Sequence, residues 1–257
     1  MNNKKIIIDK IKILDVGISQ VTPNKILEII ENAINNNVKG YVTVTGAHGI
    51  IESHKSEYIK KIHNLSFMSI PDGLPNVWIS KLKGSNSISQ CRGADIMDKI
   101  LCMSNNKKIT HYFYGGNDGV AEQLKENFIK KYSEIKIVGT FCPPFRPLTI
   151  YEDKNITKII EELSPDIFWV GLSTPKQEIF MYEYIGKLNV KIMIGVGAAF
   201  DFHIGKVKEA PVILRKIGLE WLYRLFTEPK RLWKRYFEIV PKYLIFNLID
   251  LFKVKNN

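Results

Sequence analysis

The stretch DIFWVGLSTPKQEIFMYEYIGKLNVKIMIGVG, residues 166–197, sets two short apolar runs on either side of one helix-length segment. The runs at 166–170 and 191–195 are continuously apolar rather than alternating. That is the pattern of strands covered on both faces, and so of a mostly parallel sheet. Between them, 175–185 reads as an amphipathic helix. The same alternation extends toward the N-terminus, with strand candidates at 12–15, 40–44, 66–70, 110–114 and 136–139 and helix candidates at 23–36, 93–103, 119–132 and 156–163. Strands alternating with helices over short connections predict an α/β fold with a doubly wound, mostly parallel, Rossmann-like sheet. No Gly/Ser-rich linker divides the chain, so the expected division is one α/β catalytic domain, 1–205, and an appendage, 206–257.

The 257 residues are 45% hydrophobic and 25% charged, a balance that excludes disordered, collagenous and low-complexity classes. No window reaches the roughly 20 unbroken apolar residues of a spanning helix. The opening isoleucine run stops at Asp9, short of the about 7–15 residues a secretory signal needs. Cys91, Cys102 and Cys142 show no CxxC or Cys/His metal spacing and read as reduced thiols in a cytoplasmic protein. Of the net charge of +11, residues 206–257 supply +7, from twelve basic and five acidic side chains. A basic end region implies an anionic partner: nucleic acid, a phosphorylated ligand or an acidic membrane surface. It holds no strand candidate and reads as helices punctuated by Pro211, Pro229 and Pro241. Arg224, Arg231, Arg235 and Lys242 fall along one helical stripe, with Trp221, Leu225, Leu232, Trp233 and Tyr236 as apolar bulk. Such a tail fits an interfacial membrane segment, and equally a helix packed on the parent domain with a solvated basic face.

Ligands of parallel α/β sheets bind beyond the carboxyl ends of the strands, so the strand-to-helix junctions are where chemistry is sought. In TVTGAHG, Thr45 and Gly46 lead into a helix, and small residues there admit a phosphate to backbone N–H groups. In SIPDGLPNVW, Asp72 sits in a turn made by Pro71 and Gly73, either as a turn and N-cap residue or as a general base facing the cleft. FYGGNDGVAEQL brings Gly115 and Gly116 after a strand, VGLSTPKQE puts Lys176 and Gln177 at a helix start, and IGVGAAFDF carries Gly197. His48 and His203 lie near these junctions, and a lone histidine is more often structural. No P-loop and no Asp-x-Asp occurs, which removes the usual carboxylate pair for a divalent metal on a nucleotide diphosphate.

Taken in series, TVTGAHGIIESHKSE, PDGLPNVWISKLKG, RGADIMDKIL, FYGGNDGVAEQL, GTFCPPFRPLT, VGLSTPKQE, GVGAAFDFHIGKVKEAP and LEWLYRLFTEPKRLWKRY resemble the bacterial WecG/TagA/CpsF glycosyltransferases over roughly residues 11–236. The resemblance implies an inverting, metal-independent transfer of a sugar from a UDP donor to a lipid-linked acceptor, such as undecaprenyl-diphosphate-linked N-acetylglucosamine. The products are teichoic acid and other surface polysaccharides, made on the inner face of the cell membrane. It implies Asp72 as catalytic base, Thr45 and Gln177 as active-site residues, and Arg224 and Arg231 as arginines closing over the diphosphate. Arg92 and Asp95, in the third motif, complete the candidate substrate-binding set with Gly46, Gly73, Gly115, Gly116, Lys176 and Gly197. Many members carry Thr-Pro-Asn where this chain has Thr45-Gly46-Ala47, and an Arg two positions earlier than Arg92. Both departures fall near the expected donor site, so the transferred sugar is N-acetylmannosamine or another hexose.

The physical reading agrees: displacement needs one base, and a diphosphate leaving group without a metal needs Arg or Lys donors. No cofactor, metal or nucleic acid is expected, and a homo-oligomer is neither required nor excluded. Two other classes stand beside this one. An NAD(P)-dependent oxidoreductase is suggested by Gly195-x-Gly197, but Phe200 stands where a third small residue belongs, and no early fingerprint occurs. A basic nucleic-acid-binding module leaves Asp72 and the glycine junctions without a job.

Overall fold

The computed structural model describes residues 6–255. The chain opens with β1 (Lys10–Ile13) and β2 (Val16–Ser19), then α1 (Pro23–Asn35), β3 (Gly40–Thr45), α2 (Ala47–Lys55), α3 (Glu57–Leu65), β4 (Met68–Pro71), α4 (Leu74–Leu82) and α5 (Gly93–Ser104). It continues through β5 (Thr110–Gly115), α6 (Val120–Lys131), β6 (Lys136–Phe141), α7 (Ile150–Leu163), β7 (Ile167–Gly171), α8 (Lys176–Tyr184) and β8 (Ile192–Gly195). The short helices α9 (Ala199–His203), α10 (Val212–Lys216) and α11 (Glu220–Thr227) lead to the long α12 (Pro229–Lys255).

Six strands form one parallel sheet in the order β4-β3-β8-β7-β5-β6. Side chains alternate between its two faces. Ile167 and Trp169 of β7, with Ile192 and Ile194 of β8, meet Ile26 and Ile30 of α1 and Ile96 and Ile100 of α5. Phe168 and Val170, with Met193, meet Ile59 and Ile62 of α3 and Ile156 and Ile160 of α7. Both faces are therefore covered, which is why the strands read as unbroken apolar runs. The chain is α/β and doubly wound, as expected.

The expected strand at 12–15 is corrected. β1 ends at Ile13, Leu14 and Asp15 turn with φ of 47° and 66°, and β2 returns antiparallel. This hairpin lies outside the six-stranded sheet and covers its β4 edge, where Ser19 Oγ accepts from Ser69 N at 3.0 Å. A second correction concerns the basic stripe. Glu228 leaves helical geometry (φ −129°) and Pro229 starts a new helix, so Arg224 stands on α11 and Arg231, Arg235 and Lys242 on α12. Pro241 does not end α12; it lies on the exposed side of the helix, away from the packed face.

α12 packs on the main body. Ile239 and Tyr243 are buried with Ile13 and Ile18 of the hairpin, Ile50 and Ile51 of α2, and Val77 of α4. The ends of the expected domain division, 1–5 and 256–257, lie outside the described residues. Among the described residues no helix is long and apolar enough to cross a membrane.

Candidate functional site

β3 runs outward to β4, whereas β8 arrives from the opposite half of the sheet, so the winding reverses between β3 and β8. Crevices at such reversals, at the carboxyl ends of the strands, are where doubly wound sheets bind ligands. Thr45 and Gly46 end one side of this crevice, Gly195 to Gly197 the other, and Asp72 follows the neighbouring β4. The N-terminus of α5 closes over it so tightly that a Cβ on Gly93 would stand 3.3 Å from Val196 O.

Asp72 is held by its backbone, with its N–H donating to Thr45 O at 3.0 Å. Its carboxylate lies over Gly46, with Oδ2 3.5 Å from where a Cβ there would be, and has no hydrogen-bond partner among the described residues. It is half-buried. Burial first, and the negative charge of Glu220 second, push its pKa up to about 7, against the pull of Arg92 and Arg224. An unpartnered carboxyl poised near neutrality beside a crevice has the properties of a general base.

Thr45 is placed differently from a group facing the crevice. Its hydroxyl points into the interior, to Ser69 Oγ at 2.9 Å, Thr43 Oγ1 at 3.0 Å and His63 Nδ1 at 3.2 Å. Burial pushes the pKa of His63 down to about 4, so this ring is neutral. Thr45 contributes its carbonyl to the site instead, which accepts from both Asp72 N and Asn76 Nδ2 (2.7 Å).

Arg92 is buried and fully engaged. Its Nε and Nη2 donate to the two carboxylate oxygens of Glu220 at 2.9 and 3.0 Å, and its Nη1 donates to Asp95 at 2.9 Å and Glu209 at 3.2 Å. Its guanidinium thus ties α5 to α11 and to the segment before α10. Arg224 comes into the site from α11, against the ring of Phe202 at 5.2 Å. It meets Glu228 Oε1 at 3.4 Å, and its Nε is buried without a partner among the described residues. Arg231 is more exposed and donates through Nε to Glu228 Oε2 at 2.7 Å.

On the β7–α8 side, Gln177 is buried and donates through Nε2 to Glu178 Oε1 at 3.0 Å, leaving its own Oε1 unpartnered beside Gly197. Lys176 is exposed. Gly115 and Gly116 lie farther along the sheet. Gly115 (φ 130°) packs where a Cβ would stand 2.6 Å from the Gly171 carbonyl carbon, a close approach only glycine allows. Gly195 is likewise pressed against Met181 Cε, and that packing accounts for a glycine without a dinucleotide.

The structure therefore brings Asp72, Gly46, Gly73, Arg92, Asp95 and Arg224 together, with Gln177 and Gly197 across the crevice, and sets Arg231, Lys176, Gly115 and Gly116 at its margins. Glu220, Asn76 and Tyr243 were not among the sequence candidates. Asn76 carried one signal, its place one helical turn after Asp72. Among the described residues no three His, Cys, Asp or Glu side chains converge as metal ligands.

The sequence model of the Glycosyl transferase WecG/TagA/CpsF family matches residues 11–257. An N-acetylglucosaminyldiphosphoundecaprenol N-acetyl-beta-D-mannosaminyltransferase of Bacillus subtilis (strain 168) is 31% identical over 189 residues, 74% of this chain and 71% of that protein. The protein of the same description from Bacillus spizizenii is 32% identical over 175 residues, 68% of this chain and 65% of its own length. That from Staphylococcus aureus (strain MRSA252) is 26% identical over 228 residues, 87% of each.

Proposed function

The chain belongs to the WecG/TagA/CpsF family of glycosyl transferases, and on that premise we propose that it moves a hexose, N-acetylmannosamine first among candidates, from a UDP-sugar to a polyprenyl-diphosphate-linked sugar, with inversion and without a metal. Glycosyl transfer as such follows from the family, and the oxidoreductase and nucleic-acid readings fall with it.

The observation that carries the reading is Asp72: one unpartnered carboxyl held near neutrality, flanked by arginines, at the winding reversal of the sheet. Direct displacement needs one base to take the proton of the attacking hydroxyl. It also needs positive charge where the diphosphate departs, which Arg224 is placed to supply. Four strand intervals of about 4.8 Å separate the ends of β4 and β5, so the crevice edge runs about 19 Å from Asp72 to Gly115, room for an extended nucleotide sugar.

The lipid-linked acceptor that the relatives' names print suits the outer surface of α12. Trp233, Phe237, Leu244, Leu248 and Phe252 are all exposed and share one side, together with the exposed Lys230 and Lys234. A basic helix with an unburied apolar stripe is built to lie in an anionic interface. We therefore place the protein peripherally on the inner face of the cell membrane.

A panel of UDP-sugars, offered with short-chain diphospholipid-linked N-acetylglucosamine in anionic vesicles and read by mass spectrometry, tests the proposal. The expected result is one dominant donor, transfer unaffected by EDTA, and protein that sediments with the vesicles. Transfer abolished by EDTA removes metal independence. UDP bound but no donor used points to another acceptor, and no UDP binding overturns the donor class.

A further inference from the structure

We propose that Tyr243 and Asn76 form a positioning relay through which docked α12 sets the turn carrying Asp72; this rests on the reading of Asp72 as the base. Asn76 is wholly buried on α4. Its Nδ2 donates to Thr45 O at 2.7 Å and, at 3.4 Å, to the main-chain oxygen of Asp72. Its Oδ1 accepts from the hydroxyl of Tyr243 at 2.7 Å. The chemistry admits one orientation. Thr45 O and Asp72 O only accept, so the amide nitrogen must face them, and the amide oxygen is left to the Tyr243 hydroxyl. Burial holds the Tyr243 pKa above its ordinary value, so that hydroxyl stays a donor throughout the working pH range.

The three hydrogen bonds join elements far apart in sequence. Thr45 ends β3, Asp72 follows β4, Asn76 sits in the first turn of α4, and Tyr243 lies 167 residues beyond Asn76. The Asp72 N–H and the Asn76 amide both converge on Thr45 O, and together they define the Asp72 turn. α12 is seated on that region by Leu232, Ile239, Tyr243 and Asn247, spaced 7, 4 and 4 along one side of the helix. Among these, Tyr243 alone reaches the turn with a polar atom; Asn247 Nδ2 turns back to Tyr243 O at 2.8 Å. Undocking the helix leaves the buried Asn76 oxygen without a partner and free to turn, which slackens the clamp on Asp72.

Tyr243→Phe keeps the ring and its packing and removes only the hydroxyl. The expected result is a fall in kcat of about 10- to 100-fold, with KM for the donor within about two-fold, and faster amide exchange across residues 69–77. Asn76→Ala combined with it should cost little more than either change alone, since both break one relay. Ile239→Val loosens the same helix by a methylene while keeping the hydroxyl, and should leave kcat and the exchange of 69–77 near wild type. If Ile239→Val lowers kcat as far as Tyr243→Phe does, the effect is helix stability and the relay is overturned. If Tyr243→Phe leaves both kcat and exchange unchanged while Asp72→Asn abolishes transfer, the relay is overturned and the base reading stands. If Asp72→Asn turns over normally, the base reading itself fails, and the exchange measurement then judges the structural relay alone.

Discussion

Asp72→Asn lowers kcat by about 10²–10⁴-fold, the range for removing a positioned general base, and at about pH 8 it melts above the wild-type protein. Both effects have one cause. In the unfolded chain this carboxyl ionises near pH ~4, whereas burial and Glu220 hold its proton in the folded protein up to about pH 7. Folding therefore takes up a proton between those pH values, and stability falls as pH rises across the window. Asparagine has the same shape and carries no such cost, so the stability gain is absent at acid pH and complete above neutrality. Activity runs the other way: kcat/KM rises with pH as Asp72 ionises in the free enzyme. The same profile recorded on Glu220→Gln has its acid limb at lower pH, because the repelling charge is gone and Arg92 is released from its carboxylate partner. The limb stays above the ordinary carboxylate range, since burial is the larger cause. Wild-type turnover in Asp72→Asn, or a profile that Glu220→Gln leaves in place, contradicts this assignment.

Arg224→Ala carries the next largest expected effect, a fall in kcat of about 10²–10³-fold, as for other preorganised donors to a developing negative charge. Its side chain is largely withdrawn from solvent, stacked on Phe202, with a buried Nε that no acceptor of the described residues meets. A buried guanidinium N–H without an acceptor is costly unless a substrate oxygen fills the place. Arg224→Lys keeps the charge but not the planar fork, and should recover only part of the loss. Arg231 is half-exposed and already answered by Glu228, so Arg231→Ala should cost less than about ten-fold, as for a surface pair. Steady-state kinetics on the three variants checks the order. Equal losses at Arg224 and Arg231, or none at Arg224, contradicts the placement of the leaving group.

The sheet strands were legible because a strand covered on both faces is largely apolar, most plainly in IFWV and IMIG. The β1–β2 hairpin was not, since its arms are four residues each and its turn uses Leu14 and Asp15 rather than the Gly or Asn that marks such turns. The place of Asp72 after a strand could be read from PDG, and its surroundings could not. Glu220 reaches Arg92 across 128 residues, and Tyr243 reaches Asn76 across 167, separations at which no local pattern speaks. Thr45 shows a further limit. Strand parity puts Thr43 and Thr45 on one face, but only the packed structure shows that this face holds His63 and Ser69 rather than the crevice.

A single direct displacement assisted by Asp72 inverts the reacting carbon, so the anomeric configuration of the product reports it. With an α-linked UDP-hexosamine as donor, the one-bond C1–H1 coupling of the new glycosidic carbon reports the outcome. Inversion gives a β-linked sugar and released UDP, formed about 10²–10⁴-fold more slowly by Asp72→Asn. An α-linked product contradicts it, because retention requires a second displacement or a front-face path that one base at this position does not provide.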